Sequence, residues 1–150
     1  MDRKPIKRHP ALVPLSRQHH KGLILAQLLK IGVPDYKGLP SHLPGKVAYA
    51  KAELEQRLSR HFDWEAGVLI PATRPYSTAL DNMAEQVLGE HLQITERIRA
   101  LDDTATAKDL DQIGQLLEQH IRFEERVWFA AIQETLPDTV LERLAPLEME

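Results

Sequence analysis

Apolar residues recur every three or four positions in four long runs of this chain, a spacing that places them on one face of an α-helix. The runs cover about residues 15–30, 46–69, 77–101 and 106–135. Proline and glycine residues separate them, and no segment of the sequence combines the alternation of a β-strand with paired turn signals. The sequence therefore predicts an all-α protein, folded as an up-down-up-down four-helix bundle.

The boundaries of the runs carry helix signals. Pro71 is expected to break the chain after the second run, and Pro137 is expected to stop the fourth. Thr106, with Asp109 three residues later, is typical of an N-cap that has an acidic partner in the first turn. Residues 141–147 are expected to add a short helical tail.

Composition narrows the chemistry that such a bundle could carry. The chain has no cysteine, which excludes disulfides, thiolate zinc sites and cysteine-ligated iron–sulfur clusters. Its formal net charge of -3 gives no reason to expect a nucleic acid partner. No apolar run is long enough for a membrane span, and no signal-peptide pattern is present. We therefore expect a cytoplasmic protein of one domain, residues 1–150.

Each predicted helix directs one histidine toward its apolar face. On a helical wheel these histidines fall within the arc of apolar side chains, and in two helices a glutamate follows one turn later on the same face. The six residues are His19, His61, Glu65, His91, His120 and Glu124. His20 points roughly a quarter-turn away from His19, so His19 is favoured as the inward residue of the first helix.

Inward glutamates require a partner, because burying an unpaired carboxylate is costly. The inward faces carry no matching set of lysines or arginines. A metal ion would satisfy both the carboxylates and the imidazoles, and this donor set suits iron, manganese or zinc. Two carboxylates from different helices favour a centre of two ions. The alternative is a structural bundle without metal, in which the inward histidines and glutamates hydrogen-bond each other.

These residues lie in four stretches that resemble the hemerythrin-like, HHE cation-binding family. The stretches are PLSRQHHKGL in the first helix, HFDWEAGVLIP in the second, GEHLQI in the third and LLEQHIRFEERVWFAAI in the fourth. The resemblance covers about residues 14–137. It implies a ligand set of His19, His61, His91 and His120, with Glu65 and Glu124 as bridging carboxylates.

The resemblance also implies a cofactor and a small ligand. Family members commonly hold two non-haem irons joined by the carboxylates and an oxo or hydroxo group, with an open position for O2, NO or peroxide. We therefore expect two iron ions, with manganese or zinc as alternatives, and a protein that binds O2 or a related small oxidant in sensing or iron handling. A di-iron oxidoreductase acting on peroxide or NO is the alternative. Both a monomer and a homodimer fit the sequence.

The chain departs from the oxygen-carrying hemerythrins at two positions. Thr95 stands where the carriers have a second histidine one turn after the helix-three ligand, which weighs against reversible O2 storage. The carriers place the helix-four acid at the position of Glu125, whereas the helical wheel favours Glu124 and rotates Glu125 toward solvent. Gln18 and Glu90 are also expected at the solvated surface, from which either could orient a ligand.

Overall fold

Four long helices and one short helix make up the structure, a computed structural model that describes residues 7–147. The helices are α1 (Val13–Leu29), α2 (residues 43–73), α3 (Thr78–Arg99), α4 (residues 107–135) and α5 (Asp138–Glu142). Within residues 7–147 no β-strand is present, and α1 packs along α4 while α2 and α3 complete the bundle. The predicted all-α four-helix bundle is confirmed. None of these helices has both the length and the apolar character that crossing a membrane requires.

The start of α4 matches the prediction made for it. The Thr106 hydroxyl accepts a hydrogen bond from the Asp109 N–H at 3.2 Å, and the Asp109 carboxylate accepts one from the Thr106 N–H at 2.9 Å. The predicted tail at residues 141–147 is misplaced, because α5 is Asp138–Glu142. This helix begins directly after Pro137, and Asp138 supplies the acidic first turn that a helix N-terminus favours.

Helices α2 and α4 contain π-helical turns. In each turn a backbone N–H donates to the carbonyl five residues earlier, so the turn holds more residues than an α-helical one. The turns are Leu54–Leu58 and Glu65–Leu69 in α2 and Glu124–Trp128 in α4. The α-helical segments around them are Leu43–Glu53, Ser59–Trp64, Ile70–Thr73, Ala107–Phe123 and Phe129–Thr135. Two of the three π-turns therefore begin at the glutamates that the sequence singles out.

The π-turn in α4 changes which side chains enter the core. The periodicity of a regular helix predicts Val127 and Ala131 on the inner face. This is wrong for Val127, which is 42% exposed, whereas Trp128 and Ile132 are fully buried. The extra residue of the π-turn moves the apolar stripe by one position after Glu124.

The predicted break at Pro71 is also wrong, because α2 continues through this proline to Thr73. The N–H of Ile70 donates to the carbonyl of Glu65, which closes the π-turn, and Pro71 follows in the first turn of the next α-helical segment. A proline is tolerated in a first turn, since its missing N–H is not needed there. The π-turn thus lets the helix pass a residue that normally ends it.

The hydrophobic core consists of two clusters, one toward each end of the bundle. One includes Leu25, Leu54, Ile98 and Leu117, and the other includes Leu15, Leu69, Val87 and Phe129. The buried histidines lie at the boundary between these clusters. In each of α1–α4, residues of one cluster precede the histidine in the sequence and residues of the other follow it. The polar centre is therefore enclosed by apolar side chains, which exclude water and strengthen electrostatic interactions inside it.

Gly114 lies at a close approach of α4 to α1. A Cβ added there would lie 2.7 Å from the Ala26 carbonyl oxygen and 2.9 Å from Cγ of Lys30. Because the nearest atom belongs to the backbone, Gly114→Ala must push the two helices apart. We expect it to lower the free energy of unfolding by about 1–3 kcal/mol, the usual cost of overpacking, as measured by chemical denaturation.

Gly89→Ala is the matched control for this substitution. Gly89 is an exposed residue within α3, and no atom lies within 4 Å of a Cβ added there. Alanine should therefore contribute only its higher helix propensity and raise the free energy of unfolding by about 0.5–1 kcal/mol. If both alanines stabilise the protein, the close contact between α1 and α4 is wrong.

Candidate metal centre

The structure brings all six sequence-predicted residues together in the middle of the bundle. Each helix from α1 to α4 contributes one histidine, and α2 and α4 add one glutamate each; all six side chains are buried, with both glutamates 0% exposed. His20, the alternative in the first helix, is exposed. The six residues are His19, His61, Glu65, His91, His120 and Glu124.

Their ligand atoms form two groups of four that share both glutamates. Within each group, all atoms lie within 4.8 Å of one another. We call the group containing His19 and His61 position 1 and the group containing His91 and His120 position 2; Glu65 and Glu124 belong to both. The bundle therefore contains two overlapping groups of atoms that could each hold a metal ion.

The Nε2 atom of every histidine points at these carboxylates. His19 Nε2 lies 2.8 Å from Glu124 Oε1, and His120 Nε2 lies 2.9 Å from Glu124 Oε2. His91 Nε2 lies 2.9 Å from Glu65 Oε1, and His61 Nε2 lies 3.2 Å from Glu65 Oε2. Each glutamate thus contacts a histidine of position 1 through one of its oxygens and a histidine of position 2 through the other.

Local helix geometry explains why the glutamates share a face with their histidines. Glu65 follows His61, and Glu124 follows His120, by four residues within the same helix, so each pair is stacked one turn apart. Each glutamate is also the first residue of a π-turn. The π-turns therefore leave the position of the carboxylates unchanged and displace only the residues that follow.

Glu125 does not point to solvent as the helical wheel predicted. Its Oε1 lies 2.6 Å from His19 Nδ1, and its Oε2 accepts a hydrogen bond from Arg8 at 3.0 Å. Helix α1 packs closely along α4 and covers this side chain. Glu124 therefore faces the cluster directly, whereas Glu125 contacts it from outside, through the second nitrogen of His19.

Two further outer contacts involve Gln18 and Glu90, which the sequence places at the solvated surface as residues that could orient a ligand. Gln18 and Glu90 are half-buried rather than solvated: Gln18 Oε1 lies 2.7 Å from His61 Nδ1, and Glu90 Oε1 lies 2.7 Å from His120 Nδ1. Such contacts fix the ring and leave Nε2 free to bind a metal. The sequence contains one indication of these contacts. Each residue directly precedes an inward histidine, so its side chain borders the neighbouring helix.

The two glutamates have opposite electrostatic environments. Burial and the neighbouring charge of Glu124 raise the pKa of Glu65 well above its usual range. Burial acts in the same direction on Glu124, but the charge of His120 and the hydrogen bond from His19 hold its pKa well below the usual range. The environment of the metal-free cluster therefore favours the protonated form of Glu65 and the charged form of Glu124.

The histidines divide in the same way. Burial lowers the pKa of His61 to about 4 and also lowers that of His91. Burial opposes the charged form of His120 too, but Glu124 and Glu90 outweigh it and raise its pKa to about 9. For His19, burial is likewise outweighed by Glu124 and Glu125, and the pKa is raised. Below about pH 9, His120 therefore carries a proton that a metal cation would have to displace.

Unpartnered atoms test whether a metal fits this cluster. Glu65 Oε2, His120 Nε2 and Glu124 Oε2 are buried side-chain atoms without a well-formed hydrogen bond, although His120 Nε2 and Glu124 Oε2 are neighbours. Leaving buried polar atoms unsatisfied is costly. All three are donor atoms for iron, manganese or zinc, and all three belong to the two groups described above. The donor set therefore fits a metal centre.

A small cavity borders position 1. Its volume is about 20 Å³, and it contacts His19 and His61 as well as His120. The rest of the wall combines apolar residues with four polar or charged ones: Gly22, Leu25, Leu58, Phe62, Leu117 and Ile121, with Gln18, Lys21, Glu53 and Arg57. A cavity needs roughly 10–15 Å³ to hold a water molecule, so this one has room for a water or a diatomic molecule.

A helical bundle with a buried cluster of histidines and shared glutamates belongs to the class of metal-binding four-helix bundles. A family model for the hemerythrin HHE cation-binding domain matches residues 12–132, and the chain belongs to this family. No curated protein and no solved structure matches the chain in the corresponding comparisons. The family assignment establishes a cation-binding domain with a buried cluster able to hold metal.

Proposed function

We propose that this protein binds two iron ions between α1–α4 and that the loaded centre binds O2 or a related small oxidant. The observation that carries this proposal is the sharing of Glu65 and Glu124 by two complete four-atom donor groups. In the proposal, His19 and His61 hold one ion, and His91 and His120 hold the other. The bound iron pair would supply redox-active ions with open coordination positions.

The side chains around the cluster support this assignment. Donors from the protein are nitrogen and oxygen only, which suits iron but equally manganese or zinc. Each position offers two histidines and two shared carboxylates, so an ion that prefers six ligands keeps room for a small molecule. Outer contacts to Nδ1 of His19, His61 and His120 hold those rings with Nε2 inward.

The size of the cavity supports a diatomic ligand. Its roughly 20 Å³ admit O2 or NO beside position 1 but no organic substrate. Apolar side chains form most of its wall, which suits an uncharged diatomic molecule, and Lys21, Glu53 and Arg57 line the remainder. Binding, with a role in sensing or iron handling, is therefore the function that these features favour over the conversion of a larger substrate.

Metal analysis of protein purified without added metal, together with an ultraviolet–visible spectrum of the same sample, tests the proposal. We expect two irons per chain and absorption typical of a bridged ferric pair. No bound metal after anaerobic reconstitution with ferrous iron would refute the function. Turnover of peroxide or NO well above that of free ferrous iron would instead favour an oxidoreductase.

Metal affinity should depend on pH in a defined direction. A ligand histidine must lose its proton to bind a metal, and the pKa of His120 is about 9 in the metal-free protein. Below that pH, metal binding therefore releases the proton of His120. The affinity should therefore rise by at least about tenfold per pH unit between pH 6 and 8, as one released proton requires.

The measurement is a competition between the protein and a chromophoric chelator for Zn²⁺ at several pH values, corrected for protonation of the chelator. Zn²⁺ avoids oxidation during the titration. An affinity independent of pH across this range would contradict the proton-loaded state of the metal-free cluster.

A further inference from the structure

The same contact is built twice in the bundle. In α1, Gln18 directly precedes His19 and contacts Nδ1 of His61 on α2, at 2.7 Å. In α3, Glu90 directly precedes His91 and contacts Nδ1 of His120 on α4, also at 2.7 Å. In each half of the molecule, the residue before one inward histidine therefore fixes the histidine of the next helix.

The two copies differ in charge. An amide oxygen and a carboxylate both accept a hydrogen bond from an imidazole N–H, but only the carboxylate adds a negative charge. That charge makes the imidazole a stronger donor to a metal at its other nitrogen. His120 at position 2 has the carboxylate of Glu90, whereas His61 at position 1 has the neutral amide of Gln18.

A second carboxylate, Glu125, contacts position 1 but has a cation beside it. Glu125 Oε1 lies 2.6 Å from His19 Nδ1, and Arg8 forms an ion pair with its other oxygen at 3.0 Å. The second oxygen of Glu90 instead accepts from the neutral amide of Gln86 at 3.2 Å. Around position 1, the negative charge of Glu125 is therefore balanced by the positive charge of Arg8. Around position 2, the negative charge of Glu90 has no such cation beside it in these contacts.

We infer that the two metal positions are unequal and that position 2, held by His91 and His120 with Glu90 outside, binds the first divalent cation. Glu90 and Gln18 act as positioning residues, since they contact histidines rather than the metal. This inference rests on the proposed metal binding and adds an order of occupancy to it.

The test is a titration of the metal-free protein with Zn²⁺, followed by ¹H–¹⁵N NMR of the imidazole resonances. At one equivalent we expect the largest shifts at His91 and His120, and only smaller shifts at His19 and His61, which contact the shared glutamates. The large shifts of His19 and His61 should appear as the second equivalent is added. Glu90→Gln should weaken the first binding step by about 10–100-fold, the usual effect of removing an outer partner. Gln18→Glu should strengthen the second step.

The exchange variant, Gln18→Glu combined with Glu90→Gln, is the matched control because it preserves composition and side-chain shape. It should reverse the order, so that His19 and His61 shift first. Repeating both titrations at a second pH separates the effect of proton loss from His120 from the affinity of each position for Zn²⁺. Circular dichroism checks that each variant is helical.

Each outcome of these titrations is decisive. Filling of position 1 first or of both positions together in the wild type, or an order that the exchange leaves unchanged, overturns the inference, while two bound ions still support the proposed function. Failure of the wild type to bind any metal overturns the proposed function and the inference together.

Discussion

Replacing Glu124 with glutamine is expected to reduce the metal content from two ions per chain to one or fewer. Glu124 belongs to both donor groups, with Oε1 2.8 Å from His19 Nε2 and Oε2 2.9 Å from His120 Nε2. An amide offers one oxygen and no charge, so it cannot bridge two cations. Because loss of an outer partner already costs about 10–100-fold in affinity, loss of a direct ligand should cost more.

Glu125→Gln is the matched control, since it makes the same change one residue further along α4. Glu125 contacts His19 Nδ1 from outside the cluster. We expect this variant to retain two ions, with position 1 weakened by about tenfold. Metal analysis after equilibrium dialysis measures both variants. Loss of metal from Glu125→Gln but not from Glu124→Gln would place the ligand at the position that oxygen-carrying hemerythrins use.

The sequence predicts the bundle and the convergence of the six residues because both depend on regular helix geometry. A repeat of 3.6 residues per turn places His61 with Glu65 and His120 with Glu124 on one face, up to the start of each π-turn. Burial of these side chains follows from the apolar residues around them. Up to the start of each π-turn, the face that the helical repeat predicts to be buried is therefore the face that is buried in the bundle.

The sequence prediction fails where geometry leaves the regular helix. Val127 was placed in the core and Pro71 at a helix end, and in both cases a π-turn shifts the backbone register. No single-residue propensity indicates such a turn. In the assembled bundle, this turn brings Glu124 and Trp128 both into the interior, so tertiary packing overrides local propensity here.

The partners of the outer contacts could not be predicted from the sequence, for a related reason. Gln18, Glu90 and Glu125 lie toward the edge of the polar face on a helical wheel, and a wheel contains no information about the neighbouring helix. In the bundle, the histidines of α2, α4 and α1 come within 2.6–2.7 Å of these three side chains. Such contacts depend on the relative rotation of two helices, which is fixed by close packing such as that at Gly114.

Removal of metal should lower the thermal stability of the wild-type protein substantially. The metal-free cluster contains three buried donor atoms without well-formed hydrogen bonds, and the pKa of Glu65 is raised because its charged form is unfavourable there. A cation that binds only the folded state stabilises it by about 4.1 kcal/mol at a free concentration of 1,000 times its dissociation constant. For a chain of this length, that corresponds to on the order of 10 °C in melting temperature.

Melting curves of the metal-loaded protein with and without a chelator measure this effect, and Glu124→Gln supplies the control. Since that variant should bind little metal, the chelator should leave its melting temperature nearly unchanged. The structural alternative, in which the inward residues only hydrogen-bond each other, requires the chelator to have no effect on the wild type either. A fall of about 10 °C in the wild type alone would therefore identify the buried glutamates as ligands whose burial depends on a cation.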